Sequence, residues 1–217
     1  MYGVLAYLLL RNPAGRPAAT GGFGTRLLAT LRLRATAQFS LLYAVGFGGF
    51  VAFSVYLPTY LKNAFELTPT DAANRTAGFV ILAVAMRPVG GWLSDKVHPV
   101  PVLTTCFGAA AVLAALAAAE LDLMPWGTIA LLGLAAPLGA SSGAVFALVS
   151  RLTPPEQVGS VTGVVGAAGG LGGFVPPRLM GSLYGRSGDY TIGYVLLAVT
   201  TLATAVFTAT VVRRGAV

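Results

Sequence analysis

Arg87 stands near the middle of an apolar run, "GFVILAVAMRPVGGWLSDK" (78–96), well before the polar cluster of Ser94, Asp95 and Lys96. A guanidinium inside a membrane costs at least about 2.5 kcal/mol on insertion scales, so it needs a partner, a polar cavity or a task. All seven carboxylates, Glu66, Asp71, Asp95, Glu120, Asp122, Glu156 and Asp189, fall between the apolar stretches or at their edges. The chemistry open to Arg87 is therefore of two kinds. It either bonds the backbone carbonyls of a neighbouring helix as a tie, or it holds an anion, for which its planar paired donors and permanent charge are suited. Arg178 is different: it lies close enough to the end of its apolar stretch to reach the surface with its long stem.

Two other patterns accompany Arg87. Tyr43, Phe47, Phe50 and Ser54 are spaced i, i+4, i+7, i+11, which lines them along one helical face. Tyr43 falls at nearly the depth of Arg87, so that the two side chains could meet on one ligand. In "GSVTGVVGAAGGLGGFVPP" (159–177), Gly159, Gly163, Gly166, Gly170 and Gly173 are separated by 4, 3, 4 and 3, giving a second face that has no side chains. Close helix packing uses such a face. Seven glycines between 159 and 173 exceed one seam, however, since each weakens a helix by up to about 1 kcal/mol relative to Ala. A helix that slides, bends or faces a substrate accounts for the excess.

The elements that must position these residues are set by composition. With 56% hydrophobic and 10% charged residues, the chain is a polytopic membrane protein. The excess of 14 Lys and Arg over 7 Asp and Glu is explained by membrane orientation and not by nucleic acid. Spans are predicted near 38–61, 74–93, 100–119, 126–149, 158–184 and 191–212, each about 20 residues or more, enough for about 30 Å of hydrocarbon. Arg11, Arg16, Arg26, Arg32, Arg34, Lys96, Arg151, Arg213 and Arg214 fall on one side, against Lys62, Arg75 and Arg186 on the other. Both termini are therefore expected in the cytoplasm. Residues 1–35 read as the end of a helix followed by a basic cytoplasmic linker, and 36–217 as the bundle. No alternating strands point to a barrel.

Other chemistry finds no footing. Cys106 is the single cysteine and His98 the single histidine, so neither a metal centre nor a Ser/His/Asp system can be assembled; no enzyme, cofactor or metal is expected. Without a carboxylate in the spans there is no proton relay in this bundle.

"RPVGGWLSDK" resembles the loop signature of the major facilitator superfamily between its eighth and ninth helices, with Gly91, Leu93, Asp95 and Lys96 at the matching positions. "GFGGFVAFSVYLPTYL" (46–61), Arg87 with Pro88, and the glycine stretch are similar to helices seven, eight and eleven of the nitrate/nitrite porters, the NarK-type branch. The resemblance implies an all-helical C-terminal half of the major facilitator fold, six spans with a three-plus-three inverted repeat, in the cell (inner) membrane. It also implies that Arg87 holds nitrate or nitrite, that Tyr43 and Phe47 help enclose it, and that Gly163, Gly166 and Gly170 line the route. Gly91, Asp95 and Lys96 would form the loop that governs the change of conformation. Such porters resemble two six-helix halves and this chain carries one. A first half or a second copy is thus an expected partner besides the lipid bilayer, and a truncated porter is the reading that follows. A facilitator of another small anion, or an inactive membrane fragment, would share much of this pattern.

Orientation is open to direct test: cysteines introduced at Gly15 and Gly188 should react with an impermeant thiol reagent from opposite faces of intact cells. Labelling of both from outside would overturn the topology.

Overall fold

A computed structural model describes residues 23–119, 122–187 and 190–216. The expected helix end near the start of the chain lies outside these residues. A short helix, α1 (Phe23–Arg32), is followed by α2 (Arg34–Ala64), α3 (Pro69–Lys96), α4 (Pro99–Ala118), α5 (Thr128–Leu152), α6 (Val158–Ser187), α7 (Thr191–Phe207) and α8 (Arg213–Ala216). Wide turns at Leu123–Gly127 and Thr208–Val212 join the front of α5 and the end of α7, so that the fourth and sixth spans run Leu123–Leu152 and Thr191–Gly215. All six sequence-predicted spans are present, and no strand occurs among the described residues. Most helices overrun their apolar windows by several residues. The hydrocarbon dictates only the apolar part, whereas capping decides where a helix starts and stops.

Those caps are local and chemical. Thr68 accepts from the Asp71 N–H at 3.2 Å and donates its hydroxyl to the Asp71 carboxylate at 2.9 Å, with Pro69 following in the first turn. His98 opens α4 in the same way: its Nδ1 accepts from the Val100 N–H at 3.3 Å, again before a proline, Pro99. At the far end of α3, Arg151 donates to the Asp95 carbonyl at 3.2 Å and ties the last turn of α5 to that of α3.

Packing follows a simple symmetry. α2 lies chiefly on α6, α3 on α5, and α4 on α7. Exchanging the first three spans for the second three turns the α2–α6 contact into the α5–α3 contact and returns α4–α7 to itself, as an inverted repeat requires. Both exchanged contacts are made by backbone. A Cβ on Gly48 would strike the backbone of Gly172, and one on Gly172 would strike that of Ala44. On the other pair, Cβ atoms on Gly90, Gly139 and Gly143 would strike Ala140, Ala83 and the Arg87 carbonyl. With lipid outside, helix association has little hydrophobic drive, and close approach at small residues supplies dispersion contact instead. The apolar side chains that face away from the bundle, such as Ile81 on α3 and Leu171 on α6, suit a lipid or protein neighbour.

The seams predict unequal responses to the same change. Gly143→Ala should lower thermal stability by about 1–3 kcal/mol, because a methyl there meets main chain that cannot yield. Gly108→Ala, where nothing lies within 4 Å, should be neutral or slightly stabilising. Melting of both variants in one detergent decides it.

Candidate functional site

Arg87 lies nine residues before the end of α3 and Tyr43 nine residues after the start of α2. At about 1.5 Å per residue both are about 13–14 Å from the same end of the bundle. The rotation of Arg87 is fixed from behind, where Gly143 of α5 meets its carbonyl. Its side chain points to the aromatic face of α2: the guanidinium carbon sits 4.7 Å from the ring centre of Phe47 and 4.9 Å from that of Phe50. Arg87 is half-buried, and each of the two cation–π contacts is worth about 0.5–2 kcal/mol, which offsets part of the burial of the charge.

No hydrogen bond or ion pair reaches Arg87 among the described residues, and its Nε is buried without a partner. A tie between helices would show carbonyl acceptors around the guanidinium; the acceptors are missing and the faces of two rings take their place. Tyr43 stacks flat on Phe47, with centres 5.0 Å apart and planes 5° from parallel, and meets Phe146 of α5 edge-on at 4.7 Å. The cluster is therefore a guanidinium against a wall of rings from α2, with Tyr43 one ring removed.

The glycine helix joins this cluster through a residue outside the regular spacing. A Cβ on Gly169 would fall against the rings of both Tyr43 and Phe47, so this position leaves room for the aromatic wall. Gly163, Gly166 and Gly170 lie on the other face of α6, where no atom of the described chain comes within 4 Å of a Cβ position. Gly173 packs on Val51, while Gly159 is open. Four of the five regularly spaced glycines thus lie on an unoccupied face, and the packed face is carried by Gly169, Gly172 and Gly173. The signal for these was the doubled glycines at 169–170 and 172–173, which a single-face count cannot register.

Of the loop residues, Gly91 is open, Asp95 is exposed, and the Lys96 ammonium sits 4.1 Å over the Trp92 ring. Arg178 is exposed with its guanidinium 4.5 Å from Phe174, in agreement with a surface role. Rings continue away from the site through Phe50, Phe79, Phe53 and Tyr194 to a group of tyrosines at the other end of the bundle. There Tyr190 accepts from Asn63 at 3.1 Å, and burial raises its phenol above 10.0, so it stays neutral.

An inverted repeat of six membrane helices is the architecture of one half of the major facilitator fold. The Major Facilitator Superfamily profile matches residues 2–216, and the chain belongs to that superfamily. It is 47% identical over 95% of its length to the probable nitrate/nitrite transporter NarK2 of Mycobacterium tuberculosis (strain ATCC 25618 / H37Rv), covering 52% of that protein. It is 38% identical over 82% of its length to the nitrite extrusion protein of Bacillus subtilis (strain 168), covering 45% of it. The chain thus spans about half the length of these relatives. Among solved structures, the E. coli fucose:proton symporter FucP superposes with a TM-score of 0.73 at 22% identity, over 94% of this chain and 50% of that one.

The orphaned guanidinium makes a prediction about stability. Replacing Arg87 by Met removes a desolvation cost of at least about 2.5 kcal/mol while losing ring contacts of similar size. The melting temperature of Arg87→Met should therefore not fall. A marked fall would restore Arg87 as a tie.

Proposed function

We propose that this chain is the C-terminal half of a nitrate/nitrite porter and that Arg87 is its anion-binding group. The observation that carries the proposal is the guanidinium held at mid-depth by Phe47 and Phe50 with no anion beside it among the described residues. Nitrate and nitrite are flat, weakly hydrated oxyanions. A guanidinium meets them with paired donors in one plane, and ring faces and edges alongside accept the rest of their outline without demanding a second charge. Phe47 and Phe50 orient the guanidinium, Tyr43 closes the wall behind them, and Gly169 provides the space in which they stand. The relatives named for nitrate and nitrite support the choice of anion. The open glycine face of α6, with Gly163, Gly166 and Gly170, borders the route, and Gly91, Asp95 and Lys96 act in the conformational change.

In this reading the protein is a multi-pass component of the cell (inner) membrane with both termini in the cytoplasm, residues 1–35 forming a helix end and basic cytoplasmic linker and 36–217 the transmembrane bundle. Alternating access needs a second six-helix unit, either a first half or another copy, against which this one rocks. The apolar windows of the spans supply no carboxylate for proton coupling, and exchange of like anions requires none.

Calorimetric nitrate titrations of the chain reconstituted with a first half from a related porter test the site. Arg87→Lys keeps the charge but loses the planar pair of donors, and should weaken nitrate affinity by about tenfold or more, the loss of about 1.5–3 kcal/mol typical of a charged hydrogen bond. Arg87→Gln and Arg87→Ala, folded to the same extent, should abolish it. Parent-like nitrate transport by Arg87→Gln would overturn the assignment.

A further inference from the structure

The bundle has a basic cavity whose lining does not include Arg87. It holds about 520 Å³ and lies between the start of α4 and the end of α7, lined by His98, Pro101, Thr104 and Thr105 on one side and by Ala209 and Arg213 on the other. No carboxylate lines it among the described residues. The wide turn Thr208–Val212 forms its far wall and presents Arg213 directly after it. We infer that this cavity binds the phosphate group of an anionic phospholipid.

Donor chemistry gives the first reason. Because His98 Nδ1 accepts the Val100 N–H at 3.3 Å, the proton of the neutral ring is on Nε2, which is left to donate outward. The Thr104 hydroxyl is spent on the Val100 carbonyl at 2.9 Å, but that of Thr105 has no partner among the described residues. Arg213 adds a forked cation. Helix α4 itself offers little, since Pro99 and Pro101 have no N–H and that of Val100 is taken. Recognition here is the work of side chains.

Position gives the second. Trp92 and Lys96, an exposed ring with an ammonium 4.1 Å above it, mark the level of the lipid headgroups at this end of the bundle. His98 follows two residues later. Val206, exposed and one turn before the lining residue Ala209, belongs to the acyl-chain region. A ligand with a phosphate at the top and hydrocarbon beneath fits both levels, and basic cavities between helix ends are recurrent sites for acidic lipids.

The test is native mass spectrometry of the intact chain, purified in neutral detergent and offered phosphatidylglycerol and phosphatidylcholine in equal amounts. The parent should retain phosphatidylglycerol preferentially. Arg213→Ala should lower the ratio of the two bound lipids by about fivefold, the effect of about one basic residue at a charged membrane surface, and Arg213→Lys should largely keep it. Thr105→Trp fills the cavity without altering charge and should lower retention as well, which covers the case in which Arg213→Ala folds poorly. Arg178→Ala, at an exposed arginine elsewhere, should leave the ratio unchanged. Equal retention of both lipids by the parent, or an unchanged ratio in both Arg213→Ala and Thr105→Trp, overturns the inference. Displacement of phosphatidylglycerol by an equal concentration of inorganic phosphate would also overturn it and assign the cavity to the free anion.

Discussion

At Gly143 the backbone of α5 touches the backbone of α3 at the carbonyl of Arg87, and the rest of the site depends on that contact. No side chain could be placed between them without moving a helix. The contact fixes how deep Arg87 sits and which way it turns, and it does so without using any polar group of the guanidinium. The same device operates on the opposite pair, where Gly48 and Gly172 bring α2 and α6 together and so set the aromatic face opposite. Cation and rings are each carried on a helix held by main chain, and main-chain contacts have no rotamers to relax. The result is a group whose position is set by main chain, as preorganisation of the proposed site requires.

The six spans were legible because lipid imposes one requirement, an unbroken apolar length with every backbone group satisfied within the helix, and that requirement leaves its mark on composition. Arg87 was legible for the converse reason, as a violation of it. Tyr43 and Phe47 came from helical periodicity, and the structure does place Phe47 on the guanidinium with Tyr43 behind it. Periodicity served less well on α6. It reports which residues share a face and says nothing of what that face meets, so the regular Gly163, Gly166 and Gly170 emerge on the open side while Gly169 and Gly172 make the contacts. Phe50 belonged to the same stripe as Phe47, yet its part beside Arg87 depends on the crossing of α2 and α3, which no local pattern encodes. The link from Arg151 to Asp95 and the pairing of His98 with Arg213 across one cavity are likewise products of tertiary packing between distant segments.

The superfamily is shown and the site is proposed, and the two stand on different grounds. The fold follows from the helices, their inverted arrangement and the profile that spans nearly the whole chain. The site rests on a local imbalance of charge. A helix bundle in lipid gains nothing by burying an arginine and has many apolar residues that would pack as well, so the presence of one without a counterion asks for a ligand more strongly than any pocket shape. The ring wall sharpens this. Aromatic faces stabilise the cation while it waits, and they do so without neutralising it, so no salt bridge has to be broken before an anion can approach.

That absence of neutralisation has an electrical consequence. A charge with no internal partner feels the membrane potential as a full elementary charge, at about 2.3 kcal/mol per 100 mV for a complete crossing of the field. Whatever fraction of the field Arg87 traverses when the bundle changes its facing, the empty form carries that work and a form loaded with one monovalent anion does not. In the porter proposed above, voltage would therefore act on the return of the unoccupied form rather than on the passage of the occupied one, and the energised membrane would set the direction in which the vacant site prefers to face.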